Sequence, residues 1–282
     1  MSLVTGRELL ETARAGGYAV GAFNCHTLDM ITAVVEVAAA ERAPVILQFT
    51  EGSLKANGWE TVAAVARDAA LRAPVPVAIH LDHGPSFAAV MRAISCGFTS
   101  VMIDGSERPY AENVAITRQV VEAAHAAGVS VEAEIGHVGG VEDDQGSLHG
   151  WLTEPADAER FWRDGSMDYL ATAFGTAHGF YRDEPKLDLE RLAEIGRRVP
   201  LPLVMHGGSG VPDEQVRAAI AHGIAKVNVA TELKDAWARA LRAALTLNPD
   251  EIDPRKIMGP PRVAVQVVVR EKIRLFGSSG QA

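Results

Sequence analysis

Short apolar runs alternate with helix-like segments eight times along this chain, and that rhythm leaves few folds open. The runs lie near Ala19 to Asn24, Pro44 to Phe49, Val77 to Leu81, Ser100 to Ile103, Ser130 to Ile135, Tyr169 to Ala173, Leu203 to His206 and Ile224 to Asn228. One helix between each pair makes neighbouring strands parallel, with right-handed crossovers. Eight is also the number of strands that closes a (β/α)8 TIM barrel, an α/β fold that takes about 250 residues. The chain has 282.

Helical signals fill the intervals. Gly6 to about Ala15 reads as a short amphipathic opening helix, and Thr27 to Glu41 carries its apolar residues on one face. Thr153 is placed to cap a helix with Pro155 in its first turn, and Pro212 leads a glycine loop into Asp213 and Glu214. No Pro/Ser-rich linker divides the chain, so residues 1–282 are read as one domain, with the barrel over about 17–247 and an extension over about 248–282. Pro249, Pro254, Pro260 and Pro261 punctuate the extension as a loop. Arg262 to Phe276 is valine-rich but is read as a helix outside the barrel, from its length and late charges.

The formal net charge of −9 argues against nucleic acid or an anionic membrane as partner. Positive charge collects only after Pro254, where Arg255, Lys256, Arg262, Arg270, Lys272 and Arg274 suggest a solvated or subunit-contacting tail. Cys25 and Cys96 do not make a disulfide framework, and they fit a reducing compartment. With neither a signal-peptide core nor about 18 consecutive apolar residues, the chain reads as soluble and cytoplasmic.

In a TIM barrel, chemistry gathers where strands end and the following loops begin. Those positions hold Asn24, Thr50 and Ser53, Asp82 and His83, Asp104, Glu134, His178, His206, and Asn228 with Thr231. His83, His178 and His206 thus converge on one rim from the third, sixth and seventh strands. Three imidazoles with an open position suit a catalytic zinc. Of the other histidines, His125 and His222 read as surface residues in helical segments, and His80 lies inside the third strand as support for the site or as a core residue. His26, His137 and His149 fall in loops and receive no role.

Backbone N–H groups of Gly179 and of Gly207-Gly208-Ser209-Gly210, with a helix following near Pro212, form an anion cradle of the phosphate-binding kind. The connection from Gly136 to Leu152 is unusually long and bears Gly139-Gly140-Val141-Glu142-Asp143-Asp144. Such a loop suits a lid that delivers an acid to the bound substrate.

His80-Leu81-Asp82-His83-Gly84, Gly139-Gly140-Val141-Glu142-Asp143, Gly175-Thr176-Ala177-His178-Gly179, His206-Gly207-Gly208-Ser209-Gly210 and Asn228-Val229-Ala230-Thr231-Glu232-Leu233 occur in this order. In these motifs, over nearly its whole length, the chain resembles the class II, zinc-dependent ketose-bisphosphate aldolases. Ala230 in the last motif looks more like the tagatose-bisphosphate branch than the fructose-bisphosphate one.

The resemblance implies that His83, His178 and His206 hold Zn²⁺, one ion per subunit, as a Lewis acid for the ketose carbonyl. It implies that Asp82 exchanges a proton with the C4 hydroxyl and Glu142 with the carbon of the dihydroxyacetone half. Asn24 and Asn228 would contact substrate. Gly179, Gly207, Ser209 and Thr231 would bind its phosphate beside a monovalent cation. Asp104 and Glu134 match acids that support the histidines or occupy a second cation site. The substrate implied is a ketose 1,6-bisphosphate, tagatose or fructose, cleaved to dihydroxyacetone phosphate and glyceraldehyde 3-phosphate by a homodimer or homotetramer.

Departures from the family pattern at His149-Gly150-Trp151 and in the proline-rich approach to the C-terminus bear on the distal end of the substrate, and Val141, where many relatives have a polar or acidic residue beside the base, bears on the loop chemistry. Three rivals stand beside this reading. One is a Schiff-base aldolase using Lys226, two residues before Asn228 on the same strand face. Another is a non-catalytic barrel that binds a sugar phosphate, and the third keeps the mechanism but acts on another phosphorylated ketose or keto-acid.

Overall fold

The computed structural model describes residues 2–140, 150–181 and 183–282. Among these, eight parallel strands close into a barrel: β1 (Val20–Asn24), β2 (Val45–Thr50), β3 (Val77–Gly84), β4 (Ser100–Ile103), β5 (Ser130–Ile135), β6 (Tyr169–Thr172), β7 (Leu203–Met205) and β8 (Ile224–Val229). β1 joins β8 with Val20 beside Lys226 and Ala22 beside Asn228, which completes the ring. The expected strands agree with these to within a residue or two, except that β3 continues through Asp82 and His83 to Gly84.

Nearly every strand residue is buried, because one face meets the barrel interior and the other the surrounding helices. The outer layer comprises α2 (Leu28–Glu41), α3 (Glu51–Asn57), α4 (Trp59–Arg72), α5 (Phe87–Ser95), α6 (Tyr110–Ala126), α7 (Pro155–Gly165), α8 (Leu189–Arg198), α9 (Asp213–Ala221) and α10 (Thr231–Leu247). Ahead of them, α1 (Gly6–Gly16) starts in a Thr5/Glu8 capping box. Its Leu9, Leu10 and Ala13 pack with Val20, Ile46, Ala78 and Val204, closing one end of the barrel with an apolar plug. The opposite rim is left for polar groups.

Two expectations need correction. Thr153 does not cap α7, whose N-cap is Glu154. Instead its hydroxyl donates to the Ile135 carbonyl at 2.5 Å and accepts from the Ala173 N–H at 2.8 Å, tying the ends of β5 and β6 together. The proline-rich approach is also no loop beyond Asp253. Pro254 opens α11 (Pro254–Leu275), and Pro260 and Pro261 lie inside it. Proline removes a helical donor, but Val265, Val269 and Ile273 are fully buried in the main core, and packing outweighs the lost bonds.

The basic tail is likewise paired within the chain. Arg262 meets Glu36 at 2.6 Å, Arg270 and Arg274 meet Glu41 at 3.3 and 2.8 Å, and Lys272 meets Glu232 at 2.8 Å. No described helix is long and apolar enough to cross a membrane.

Candidate active site

Successive strand residues face opposite sides of a sheet, so Asp82 and His83 should not serve one site. A bulge resolves this. Leu81 pairs with Val101 but Gly84 with Ile103, so β3 spends an extra residue against β4, and His83 takes a left-handed φ of 45°. Gly84 permits the close approach that follows, because a Cβ there would lie 2.2 Å from the Met102 carbonyl oxygen. Both side chains reach the rim, with His83 Nε2 3.9 Å from Asp82 Oδ1.

One ring nitrogen each of His83, His178 and His206 lies within 4.8 Å of the others, and no ligand on this trio is exposed. Hydrogen bonds select which nitrogens face inward. The Nδ1 of His83 is 2.7 Å from Asp104 Oδ2, and the Nε2 of His206 is 2.7 Å from Glu132 Oε1. With those nitrogens turned to carboxylates, His83 Nε2 and His206 Nδ1 face each other at 2.9 Å across the site. Burial, then the neighbouring His83, lowers the pKa of His178 and His206 well below the usual imidazole value, leaving them neutral as metal ligation requires. For His83 burial acts in the same direction, but Asp82 and Asp104 outweigh it and raise the pKa. Three convergent imidazoles of this kind fit a zinc ion.

Asp104 and Glu134 form a second candidate set with His83, again with ligand atoms within 4.8 Å. Burial and the nearby Asp104 charge push the Glu134 carboxyl up to about 8. Its Oε1 accepts the Val138 N–H at 3.0 Å, whereas Oε2 is buried without a hydrogen-bond partner among the described residues. Asp104 also accepts from the Ser106 N–H and hydroxyl, at 3.0 and 2.7 Å. Burial opposes its ionisation, but the His83 hydrogen bond and charge prevail and hold it well below the usual carboxylate range.

Asp82 is fully buried and accepts amide hydrogens from Asn24 at 2.9 Å and Asn228 at 3.3 Å. Gln48, also fully buried, donates to Asn24 Oδ1 at 2.9 Å and fixes that amide in turn. Asn228 keeps a buried Oδ1 with no partner among the described residues. His178, Gly179, Gly207, Ser209, Asn228, Ala230 and Thr231 line one cleft. Five of the six residues expected to touch substrate therefore meet beside a metal-candidate histidine, and Asn24 reaches the site through Asp82.

Beneath the rim lies an ionic layer that sequence reading missed. Glu132 bridges His206 and Lys226, the latter at 2.7 Å, and Lys226 also lies 3.2 Å from His80 Nε2. All four side chains are fully buried. The alternation Ser130-Val131-Glu132-Ala133-Glu134 carried the signal, since its polar members share one strand face. Lys226 is thereby corrected from a rival nucleophile to a countercharge, because a Schiff base needs a free amine in reach of substrate. His80 holds Ser100 at 2.6 Å and supports this layer.

His125 is exposed, as expected, and its Nε2 pairs with the buried Asp168 at 2.9 Å. His137, given no role from sequence, is buried 2.9 Å from the Ser106 hydroxyl, with its ring tilted 34° against Trp151. His26 holds the Ser53 hydroxyl at 2.7 Å. Glu142 and His149 lie outside the described residues.

A family model described as "Fructose-bisphosphate aldolase class-II" matches residues 4–281. The fructose-bisphosphate aldolase of Geobacillus stearothermophilus is 47% identical over 285 residues, covering 100% of this chain and 99% of the relative. That of Staphylococcus epidermidis is 46% identical, covering 100% of both. Among solved structures, the YdjI aldolase from Escherichia coli K12 superposes with a TM-score of 0.88 at 34% identity, covering 99% of each chain.

Proposed function

Because this chain belongs to the class II fructose-bisphosphate aldolase family, a family of metal-dependent lyases, we propose that its site cleaves fructose 1,6-bisphosphate reversibly to dihydroxyacetone phosphate and glyceraldehyde 3-phosphate. The observation that carries this reading is the convergence of His83, His178 and His206 beside a cleft lined by Gly179, Gly207 and Ser209. An electrophile site and a phosphate cradle there share a wall. The names of the relatives favour fructose over the tagatose suggested by Ala230.

His83, His178 and His206 would hold zinc, which when bound supplies a Lewis acid for the ketose carbonyl. Asp82 takes the C4 hydroxyl proton on cleavage and returns it on condensation. Two amide donors orient its carboxylate, and each oxygen keeps acceptor capacity for a substrate hydroxyl. Asn228 positions the dihydroxyacetone half through the polar atom it leaves unused. Backbone N–H groups at Gly179 and Gly207, with Ser209 and Thr231, bind the phosphate at that end. Glu142 is proposed to move the proton at carbon on the strength of its motif alone. Asp104 orients His83, and with Glu134 offers a second cation position. Free Cys25 and Cys96 agree with a reducing, cytoplasmic setting.

A coupled cleavage assay with fructose and tagatose 1,6-bisphosphates side by side tests the proposal. Turnover of the fructose substrate should vanish with EDTA and return with zinc. A parallel series with and without potassium tests the monovalent cation. EDTA-insensitive turnover, with borohydride trapping a Lys226 adduct, would sink it.

A further inference from the structure

Tyr181 follows the sixth strand mouth and has no part in the roles assigned above. Its hydroxyl accepts the Ala177 N–H at 2.9 Å and donates to the Gly207 carbonyl, also at 2.9 Å. Those two backbone groups have telling neighbours. Ala177 immediately precedes His178, and Gly207 immediately follows His206. One phenol oxygen therefore spans the loops that carry two of the three candidate zinc ligands and the glycines of the phosphate cradle.

The loops are already as close as backbones can come. Gly207 has a φ of 65°, and a Cβ on it would stand 2.3 Å from the Ala177 carbonyl oxygen. Contact of that kind fixes how near the loops approach but not how they slide or separate. Direction comes from the hydroxyl, which offers one donor and accepts in return. Burial raises the Tyr181 pKa, the Ala177 hydrogen bond opposing, so the phenol stays protonated and able to donate. The ring meanwhile rests near Gly210, at 3.4 Å from where a Cβ would be, at the far end of the same loop.

We propose that Tyr181 is a positioning residue whose hydroxyl sets the separation of the sixth and seventh strand mouths, and with it both the His178–His206 metal geometry and the Gly179–Gly207 phosphate cradle. The inference rests on the functional reading above. It implies that metal affinity and phosphate-end binding are linked through one side chain that contacts neither.

Two variants separate the hydroxyl from the ring. Tyr181→Phe keeps the packing and removes only the bridge, leaving an N–H and a carbonyl without their partner. Tyr181→Leu removes both. In the full-length protein, zinc affinity by competition with a chromogenic chelator should weaken about tenfold in Tyr181→Phe, within the range typical of residues that orient metal ligands. The KM for fructose 1,6-bisphosphate should rise by a similar factor, with kcat of the zinc-loaded enzyme changed by less than about threefold, as for lost uniform binding. Tyr181→Leu should lie close to Tyr181→Phe in both. The proposal is overturned if Tyr181→Phe matches wild type while Tyr181→Leu is impaired, because the ring would then be what matters. It is overturned equally if Tyr181→Phe melts at a lower temperature with zinc affinity and KM unchanged. A wild-type chain that neither binds zinc nor cleaves substrate would instead remove the functional reading, and this inference with it.

Discussion

Glu132 shows how much a single buried carboxylate can organise. It meets His206 on one side and Lys226 on the other, each at 2.7 Å, in a region shut off from water. Replacing it with glutamine preserves shape but leaves the Lys226 ammonium without its counter-ion. Loss of one partner from such a pair costs about 3–5 kcal/mol, and the His206 nitrogen that should bear the proton is no longer specified. Glu132→Gln is accordingly expected to lower stability by about that amount in a denaturant melt. Zinc affinity should fall about 10–100-fold in a chelator competition. A variant of wild-type stability and zinc affinity would show that the layer merely fills space. Asp82 obeys the same logic on the substrate side, held by Asn24 and Asn228 and, through Asn24, by Gln48.

At the level of elements, the site depends on irregularity in β3. A regular strand would send Asp82 and His83 to opposite faces, so the bulge before Gly84 is what brings both side chains to one rim. Gly84→Ala would push a methyl into the Met102 carbonyl, which belongs to the adjoining strand and cannot rotate away. That variant is expected to fold with reduced stability and to lose zinc affinity more than a Cβ elsewhere on the rim would cause. Thermal melts and zinc titration of the same preparation check it, and unchanged zinc binding would mean the bulge is not what aims His83. At the other side of the barrel, α11 contributes Lys272 to Glu232, which accepts the Gly210 N–H at 2.6 Å. The C-terminal helix thereby braces the loop of Gly207 and Gly210 from behind.

For the whole molecule, the α10–α11 hairpin leaves Leu247, Ile252 and Val263 exposed at 79%, 89% and 58%. The homodimer or homotetramer expected from sequence predicts that a second copy of the chain covers these apolar groups. Sedimentation velocity should give a mass of two or four chains, and Leu247→Asp with Ile252→Asp should shift it toward one. A single-chain mass for the wild type would end that expectation. The sequence by itself determined the barrel, because an eightfold alternation of buried strands and amphipathic helices has few ways to close. It also determined which strand mouths bear histidines, acids and glycines, since chemistry in this architecture collects where parallel strands end. Tertiary structure alone decided which nitrogen of His83 and His206 faces a carboxylate and which faces the other histidine, that Lys226 is a countercharge rather than a nucleophile, and that Thr153 and Tyr181 tie neighbouring strand mouths. Each of those depends on a partner remote in sequence. Hydrogen-bond direction and burial are properties of the assembled contact, and no local pattern of residues encodes them.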